Sequence, residues 1–460
     1  MNSILLGPLT RLLSQMSLAF PDPRPRPMAV SLGLGWLCAL GPKTVTAALQ
    51  ALGRADQDWS EAYRLLSQDQ CVERALFEPI LRPALALPTS RPSLVFAGQD
   101  DTLLRKSGKK TFGTTWARDP LSPPFQVNFV RGQRFVQTSL LLQPRGPNHP
   151  WRALPVHFTH APVPKAPAQA TQEQKAAVKE LRKKHRLSLV ALEHVRTLRA
   201  QIDATPGGYA RTLVDAVDGS YTNSTYLRGL PERTVAVARL RKDAQLRAYL
   251  PANQRVGARK YGALLPTPEQ FLRDESVPWQ SVDLFVAGQI RTVHFKLIGP
   301  ICWPRGTGPR AVRLIILKAA GYRLRQGGKL LYREPAFLLD TSGHLPPEDL
   351  IAGYLARWEV EVNFRDEKTE VGVGQAQVRV PQAVQRAPLF LAACYSALLW
   401  CSIAVFGDQR TGAFGPLPRW RRQPPLRPST RDLLRLLRSE VAQAQAQAQT
   451  AQSSTMSVRS

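Results

Sequence analysis

The sequence predicts a mixed α/β protein, with a helical N-terminal domain ahead of a mixed-sheet core and a β-rich insertion within that core. Three observations carry this. The first 90 residues have helical periodicity, the next stretch alternates apolar strand-like runs with a long polar helix, and a dense series of strand-like runs follows from about Ser281 to Leu339. At 460 residues the chain exceeds the size at which one core usually keeps growing, so several domains are expected.

Taken in order, residues 1–90 hold a Pro/Arg segment, FPDPRPRP, then the periodic stretches TVTAALQAL and DWSEAYRLLSQ, closed by prolines near 83–92. They read as a separate small helical domain, for which the charge considered below implies DNA binding. Residues 91–265 form the first part of the core: SLVFAGQD, FQVNFV and RFVQTSLLL predict three neighbouring strands. A polar helix free of Gly and Pro runs from about Thr171 to Ile202, and RTLVDAV predicts another buried strand. Residues 266–336, with VDLFVAG, TVHFKLIG and VRLIILKAA, are too long for a loop and read as an inserted β subdomain. Residues 337–410 return to the core, and 411–460 hold a basic helix and a low-complexity tail, AQAQAQAQTAQSSTMSVRS, expected to be disordered or loosely helical.

Lys and Arg number 62 against 34 acids, a formal charge of +28. That excess points to a polyanionic partner, and because the cations are spread along the chain, nucleic acid is favoured over a membrane surface. Five scattered cysteines without a C-x-x-C pair indicate neither a disulfide framework nor a zinc knuckle. The N-terminus lacks a basic region before its apolar stretch and Arg11 interrupts it, so no signal peptide is expected. Leu389 to Phe406 carries no charge and sits at the lower length limit for a membrane span. It reads as a buried core helix, hydrophobic all round because it is covered all round.

The segment YLARWEVEVNFRDEK, Tyr354 to Lys368, is the most informative. On a helix, Tyr354, Arg357, Glu361 and Lys368 fall at roughly 0°, 300°, 340° and 320°, a single polar stripe. Ile351, Leu355, Trp358 and Val362 form an apolar stripe beside it that would seat the helix on a core. A carboxylate at the border of a buried face is partly desolvated and can hold a metal while neighbouring cations meet phosphate. A solvated face with i, i+4 ion pairs is the ordinary alternative.

The spacing Tyr-x2-Arg-x3-Glu-x6-Lys, followed by VGVGQAQVR, resembles the signature of bacterial insertion-sequence transposases with a DDE triad and a ribonuclease-H-like core. The resemblance covers roughly residues 90–405 and implies that Glu361 is the third metal ligand, while Tyr354, Arg357 and Lys368 hold terminal phosphates. It also implies two Mg²⁺ ions, replaceable by Mn²⁺, acting on double-stranded DNA at terminal inverted repeats and at a target, in a homodimer that bridges two ends in the bacterial cytoplasm. A non-catalytic DNA-binding descendant acting as repressor or inhibitor is the alternative, and a nuclease of the same fold without strand transfer is a third.

A ligand glutamate calls for two aspartates at strand ends, since hard cations need converging carboxylate oxygens. LVFAGQDDT resembles the first-strand D-x-T motif, which makes Asp100 the first ligand; Asp101, one residue out of phase, should face away. LVDAVDGSYTN resembles the second-aspartate motif and makes Asp218 the second, with Asp215 expected on a strand's solvent side. Asp340 in FLLDTSG is the rival. Strand alternation would put Arg239 and Arg241 on one face suited to phosphate. By the resemblance, Phe337, better placed than Trp303, would stack on a flipped base. RKSGKKT lacks the first glycine of a phosphate loop, His157 and His160 lack acid or thiol partners, and LGLGWL lacks the third glycine of a dinucleotide fingerprint.

Overall fold

The computed structural model describes residues 3–457 except 109, 120, 121, 124, 256, 258, 259, 324–328, 333 and 422. Five helices come first: α1 (Leu6–Met16), α2 (Arg26–Cys38), α3 (Val45–Ala51), α4 (Ser60–Ser67) and α5 (Glu78–Leu85). Leu9, Leu12, Leu13 and Met16 recur at helical spacing and bury one side of α1. Its N-terminus is closed from the other end of the chain. The backbone N–H groups of Ile4, Leu5 and Leu6 donate to the Glu440 carboxylate at 2.9, 3.0 and 2.6 Å, so the orphan donors of the first turn meet a charge that the helix dipole also favours. Helices α2 and α3 approach so closely that a Cβ at Gly35 would lie 2.3 Å from the Ala48 carbonyl oxygen.

Strands β1 (Leu94–Arg105), β2 (Thr115–Arg118), β3 (Phe129–Leu142) and β4 (Arg152–His160) lead to helices α6 (Gln172–Lys184) and α7 (Leu187–Asp203). The predicted long helix is thus two. A capping box between Thr171 and Gln174 starts α6, and the chain leaves helical geometry at Arg186 before α7. Then follow β5 (Thr212–Val217), α8 (Ser224–Gly229), β6 (Thr234–Arg239), β7 (Arg247–Ala248), α9 (Pro268–Arg273), β8 (Gln280–Val286), β9 (Gln289–Trp303), β10 (Gly308–Leu317), the pair β11 (Gly321–Arg323) and β12 (Leu330–Tyr332), and β13 (Ala336–Asp340). Helices α10 (Pro347–Ala356), α11 (Trp358–Asp366), α12 (Pro381–Phe406) and α13 (Thr430–Ser457) complete the chain, with a single π turn at Glu367–Val371.

The sheet runs in the order β2-β3-β1-β5-β6-β13-β10-β9-β7, with β4 also on β3 and β8 on β9. Strands β5 and β6 are parallel to β1 and to each other, while β3 and β4 are antiparallel neighbours on the other side. The β-rich stretch expected as a separate insertion instead extends this sheet, because β13 pairs with β6 and brings β10 and β9 with it. Helices cover both faces of the parallel strands, which explains their nearly continuous apolar runs. Along β1, Leu94 and Phe96 face a cluster that includes Leu350, Ile351, Tyr354 and Val360 of α10 and α11. Val95 and Ala97 face the opposite cluster, with Leu192, Val195 and Leu198 of α7.

That second cluster extends from Leu5 to Val441. The N-terminal helices are therefore not a separate domain with its own core. They close over α12, whose other side lies on β4. Helix α12 is the one described helix long and apolar enough to cross a membrane, and most of its surface is buried in this arrangement. The tail continues the basic helix, one of the two states expected of it: α13 runs unbroken to Ser457, and Leu433, Leu434, Leu437 and Val441 anchor its first half.

Candidate active site where β1 outruns β5

Strand β1 pairs with β5 from Leu94↔Thr212 to Gln99↔Val217 and then continues alone on that side. Gly98 points toward α11, where a Cβ would meet the side chains of Val360 and Arg357. Alternation places Asp100 on that same side and Gln99 and Asp101 on the other. The next step of the parallel register sets Asp218 beside Asp100, and the two carboxylates repel each other. Asp100 emerges, as the sequence predicts, on the face of the signature helix.

Arg357 holds this face together. It sits at the joint between α10 and α11 and donates to Asp100 Oδ2 at 2.7 Å and to Glu361 Oε1 at 3.1 Å. The Arg357 side chain is 12% exposed, Asp100 16% and Glu361 35%. Burial pushes Asp100 up to about 7; Arg357 opposes the shift and Asp218 adds to it. Among the described residues no three His, Cys, Asp or Glu side chains stand close enough to enclose an ion; the Arg357 guanidinium lies between Asp100 and Glu361.

Tyr354, nearly buried, is raised by burial, an effect opposed by Arg357 and by its hydrogen bond to Arg239 at the end of β6. Arg239 thus joins the site. Arg241 does not share its face, because β6 ends at Arg239 and Arg241 is tied to Asp243 at 2.9 and 2.7 Å. Lys368 falls in the π turn, which adds a residue to the helical phase. Burial lowers it, while Glu367 and Asp101 favour its charge. Phe337 is a core residue, 7% exposed and opposite Ile316. The apolar stripe is also shifted: Trp358 is 55% exposed, whereas Leu350, Ile351, Val360 and Phe364 are buried. The break at Arg357 rotates α11 relative to a single unbroken helix.

Across the sheet, Asp101 pairs with Arg134 Nε at 2.7 Å and accepts from the Tyr221 hydroxyl at 3.5 Å. Burial raises its pKa, with Arg134 opposing and Asp218 reinforcing. No local signal reveals Arg134; only the register Leu103↔Arg134 does. Asp215 is not on a solvent side: it is wholly buried, accepts from Gln99 Nε2 at 2.8 Å and from Tyr226, and burial pushes it up to about 7. Asp340 is consumed structurally, by Arg313 at 2.6 Å and by the N–H and hydroxyl of Ser342 at 2.7 and 2.6 Å. His157 and His160 lie buried in β4, their pKa lowered to about 4 by burial.

Residues 19–297, more than half of the chain, match the model of the DDE superfamily endonuclease family. The chain belongs to this family of transposase-like nucleases, whose substrate is DNA. The matched segment contains Asp100 and Asp218 and stops before α11 and Glu361. No curated protein sequence matches the chain.

Proposed function

We propose that the protein is a DNA transposase that cleaves strands at transposon ends and joins the freed 3′ ends to target DNA. The observation that carries this reading is the Arg357 guanidinium bridging Asp100 and Glu361, with the Asp218 charge beside them, where β1 outruns β5 under α11. A ribonuclease-H-like core is part of the reading, supported by the strand order β4-β3-β1-β5-β6, in which β3 alone runs antiparallel to the other four.

The donor set suits hard divalent cations. It consists of carboxylate oxygens, and the like-charge repulsion between Asp100 and Asp218 is a deficit of positive charge that such an ion offsets. Asp100, Asp218 and Glu361 would hold two Mg²⁺ ions, replaceable by Mn²⁺, which when bound supply activation of water or a 3′-hydroxyl and stabilisation of the leaving oxygen. Arg357 donates to two carboxylates in the free protein. A phosphate oxygen arriving at the same place offers it a charge-assisted bidentate partner. DNA thereby draws the guanidinium off Asp100 and Glu361 and leaves their oxygens free to coordinate. Tyr354, Arg239 and Lys368 flank this point and orient the strand. A homodimer bridging two ends, in the bacterial cytoplasm, completes the reading.

The test pairs a gel shift with strand nicking on one labelled terminal repeat. Glu361→Gln keeps the shape and removes the charge: nicking falls by more than about a hundredfold, the upper cost of losing mere outer-shell support, while end-binding survives. Normal nicking by this variant overturns the assignment. A protein that shifts the repeat but never nicks it in Mg²⁺ or Mn²⁺ is the binding-only descendant.

A further inference from the structure

Beyond the carboxylates, β1 continues to Arg105, and Gly132 of β3 lies opposite both Arg105 and Thr115. Strand β3 thus lies between β2 and the strand that carries Asp100, and the β2–β3 hairpin flanks the far end of β1. Its register sets Trp116 against Arg131 and Arg118 against Phe129. Residues directly opposed, and residues two apart on one strand, share a face. Trp116, Arg118, Phe129 and Arg131 therefore make one surface on which aromatic rings and guanidinium groups alternate.

Trp116 is 61% exposed, Phe129 62%, and Phe125 in the connecting turn 90%. Large aromatic side chains gathered in water mark a binding surface, and this one is held in place. Gly113 takes a left-handed conformation at φ +70° against the His160 ring, where a Cβ would come within 2.2 Å. Gln133 donates to the Phe112 carbonyl at 3.1 Å, and Arg131 Nε to Thr114 Oγ1 at 2.9 Å. The base of the hairpin is pinned to β3 and β4, and its aromatic face is presented outward.

Charge selects the occupant. A second copy of a chain at +28 would bring like charge to the arginines, whereas a nucleic-acid strand brings phosphates for Arg118 and bases for the rings. Diagonal neighbours across an antiparallel pair stand about 7–8 Å apart, about twice the 3.4 Å repeat of stacked bases, which leaves room for one base between Trp116 and Phe129. The five residues from Asp100 to Arg105 span about 17 Å and the two strand spacings from β1 across β3 to β2 about 10 Å more at right angles, a separation of about 20 Å, or about five to six base-pair steps.

We propose that the β2–β3 hairpin is a stacking platform that receives an unpaired base of the bound DNA about five base pairs from the cleavage point. The proposal rests on reading Asp100 as part of the cleavage centre. The probes are two labelled terminal-repeat duplexes, one fully paired and one with two unpaired nucleotides about five pairs from the cut, together with oligo-dT. The unmodified chain should prefer the unpaired duplex by about fivefold or more, the scale of one stacked base. Trp116→Ala with Phe129→Ala should abolish that preference and weaken oligo-dT binding at an unchanged salt slope, and Trp116→Phe should restore much of it. Arg118→Ala should instead lower the salt slope by about one unit. These side chains are exposed, so the variants keep their fold, which thermal melting checks. An unmodified chain with no preference, or a double variant that retains it, overturns the platform. So does a double variant whose only change is a smaller assembly in light scattering, which would give the face to a second copy. Nicking of the paired duplex separates this from the underlying reading: only a normally active Asp100→Asn overturns the latter.

Discussion

Asp100 and Asp215 lie on neighbouring strands, and burial lifts each to about 7, yet the two faces of the sheet treat them differently. Asp215 meets neutral donors, the Gln99 amide and the Tyr226 hydroxyl, in a pocket sealed by α7 and α8. Asp100 meets a guanidinium and a second carboxylate at the rim. A neutral hydrogen-bonded environment fixes a carboxyl group in place; a charged, partly open one leaves it with an exchangeable partner. Burial alone does not mark a functional acid. On the proposed function, what marks one is a partner that another ion can replace.

The largest effect should separate the two aspartates by activity. Asp218→Asn, beside Asp100, should reduce nicking by more than about a hundredfold, whereas Asp215→Asn, which keeps an acceptor for Tyr226, should leave nicking within a few-fold in the same assay. Equal loss in both would dissolve the distinction between the faces.

Stability should separate them in the opposite sense. The Asp215 pKa rises from 3.8 to about 7 on folding, so between these values the folded state holds a proton that the unfolded state has released. Its contribution therefore falls as pH rises from about 4 to 7 and is flat above that. Asp215→Asn should flatten the melting temperature against pH in this window relative to the parent chain, while Asp215→Ala, which strands Gln99 and Tyr226, should cost about 1–3 kcal/mol. A parent and an Asn variant with parallel pH profiles would refute the buried proton.

A smaller effect should come from Arg357→Ala. Titrated with Mn²⁺ without DNA, this variant should bind the ion more tightly than the parent, because two carboxylates lose their internal cation. End-binding should weaken with a salt slope shallower by about one unit. Unchanged Mn²⁺ affinity would mean that Arg357 does not compete for the site. The smallest effect belongs to Tyr354→Phe, which removes one hydrogen bond to Arg239, about 0.5–1.5 kcal/mol in end-binding.

Much of the site was legible because its acids follow apolar strand runs whose period-2 pattern is strong: LVFAGQD became β1 and TLVDAV became β5. The phase of Asp100 against Asp101 was readable for the same reason. Features that depend on distant partners were not. Asp215 was assigned to solvent because its covering residue Tyr226 lies beyond the next turn, and Asp340 rivalled Asp218 until Arg313 proved to claim it. Arg357 itself is right-handed helical, so no glycine or proline announces the joint beyond which Trp358 is exposed. The β-rich stretch gave no sign that β13 would pair with β6, and the N-terminal helices none that they would share a core with α12.

The placement of α12 bears on how this chain can be made and cut. The apolar faces of α1, α2 and α4 emerge from synthesis first, but the helix they enclose begins only at Pro381. Until it arrives, those helices have only one another to pack on, and contacts so far apart in sequence form late. The family-matched segment, residues 19–297, contains Asp100 and Asp218 yet lacks this central helix, so expressed alone it would expose the surface α12 covers and aggregate. The N-terminal helices and α12, some three hundred residues apart, are thus parts of one folding event.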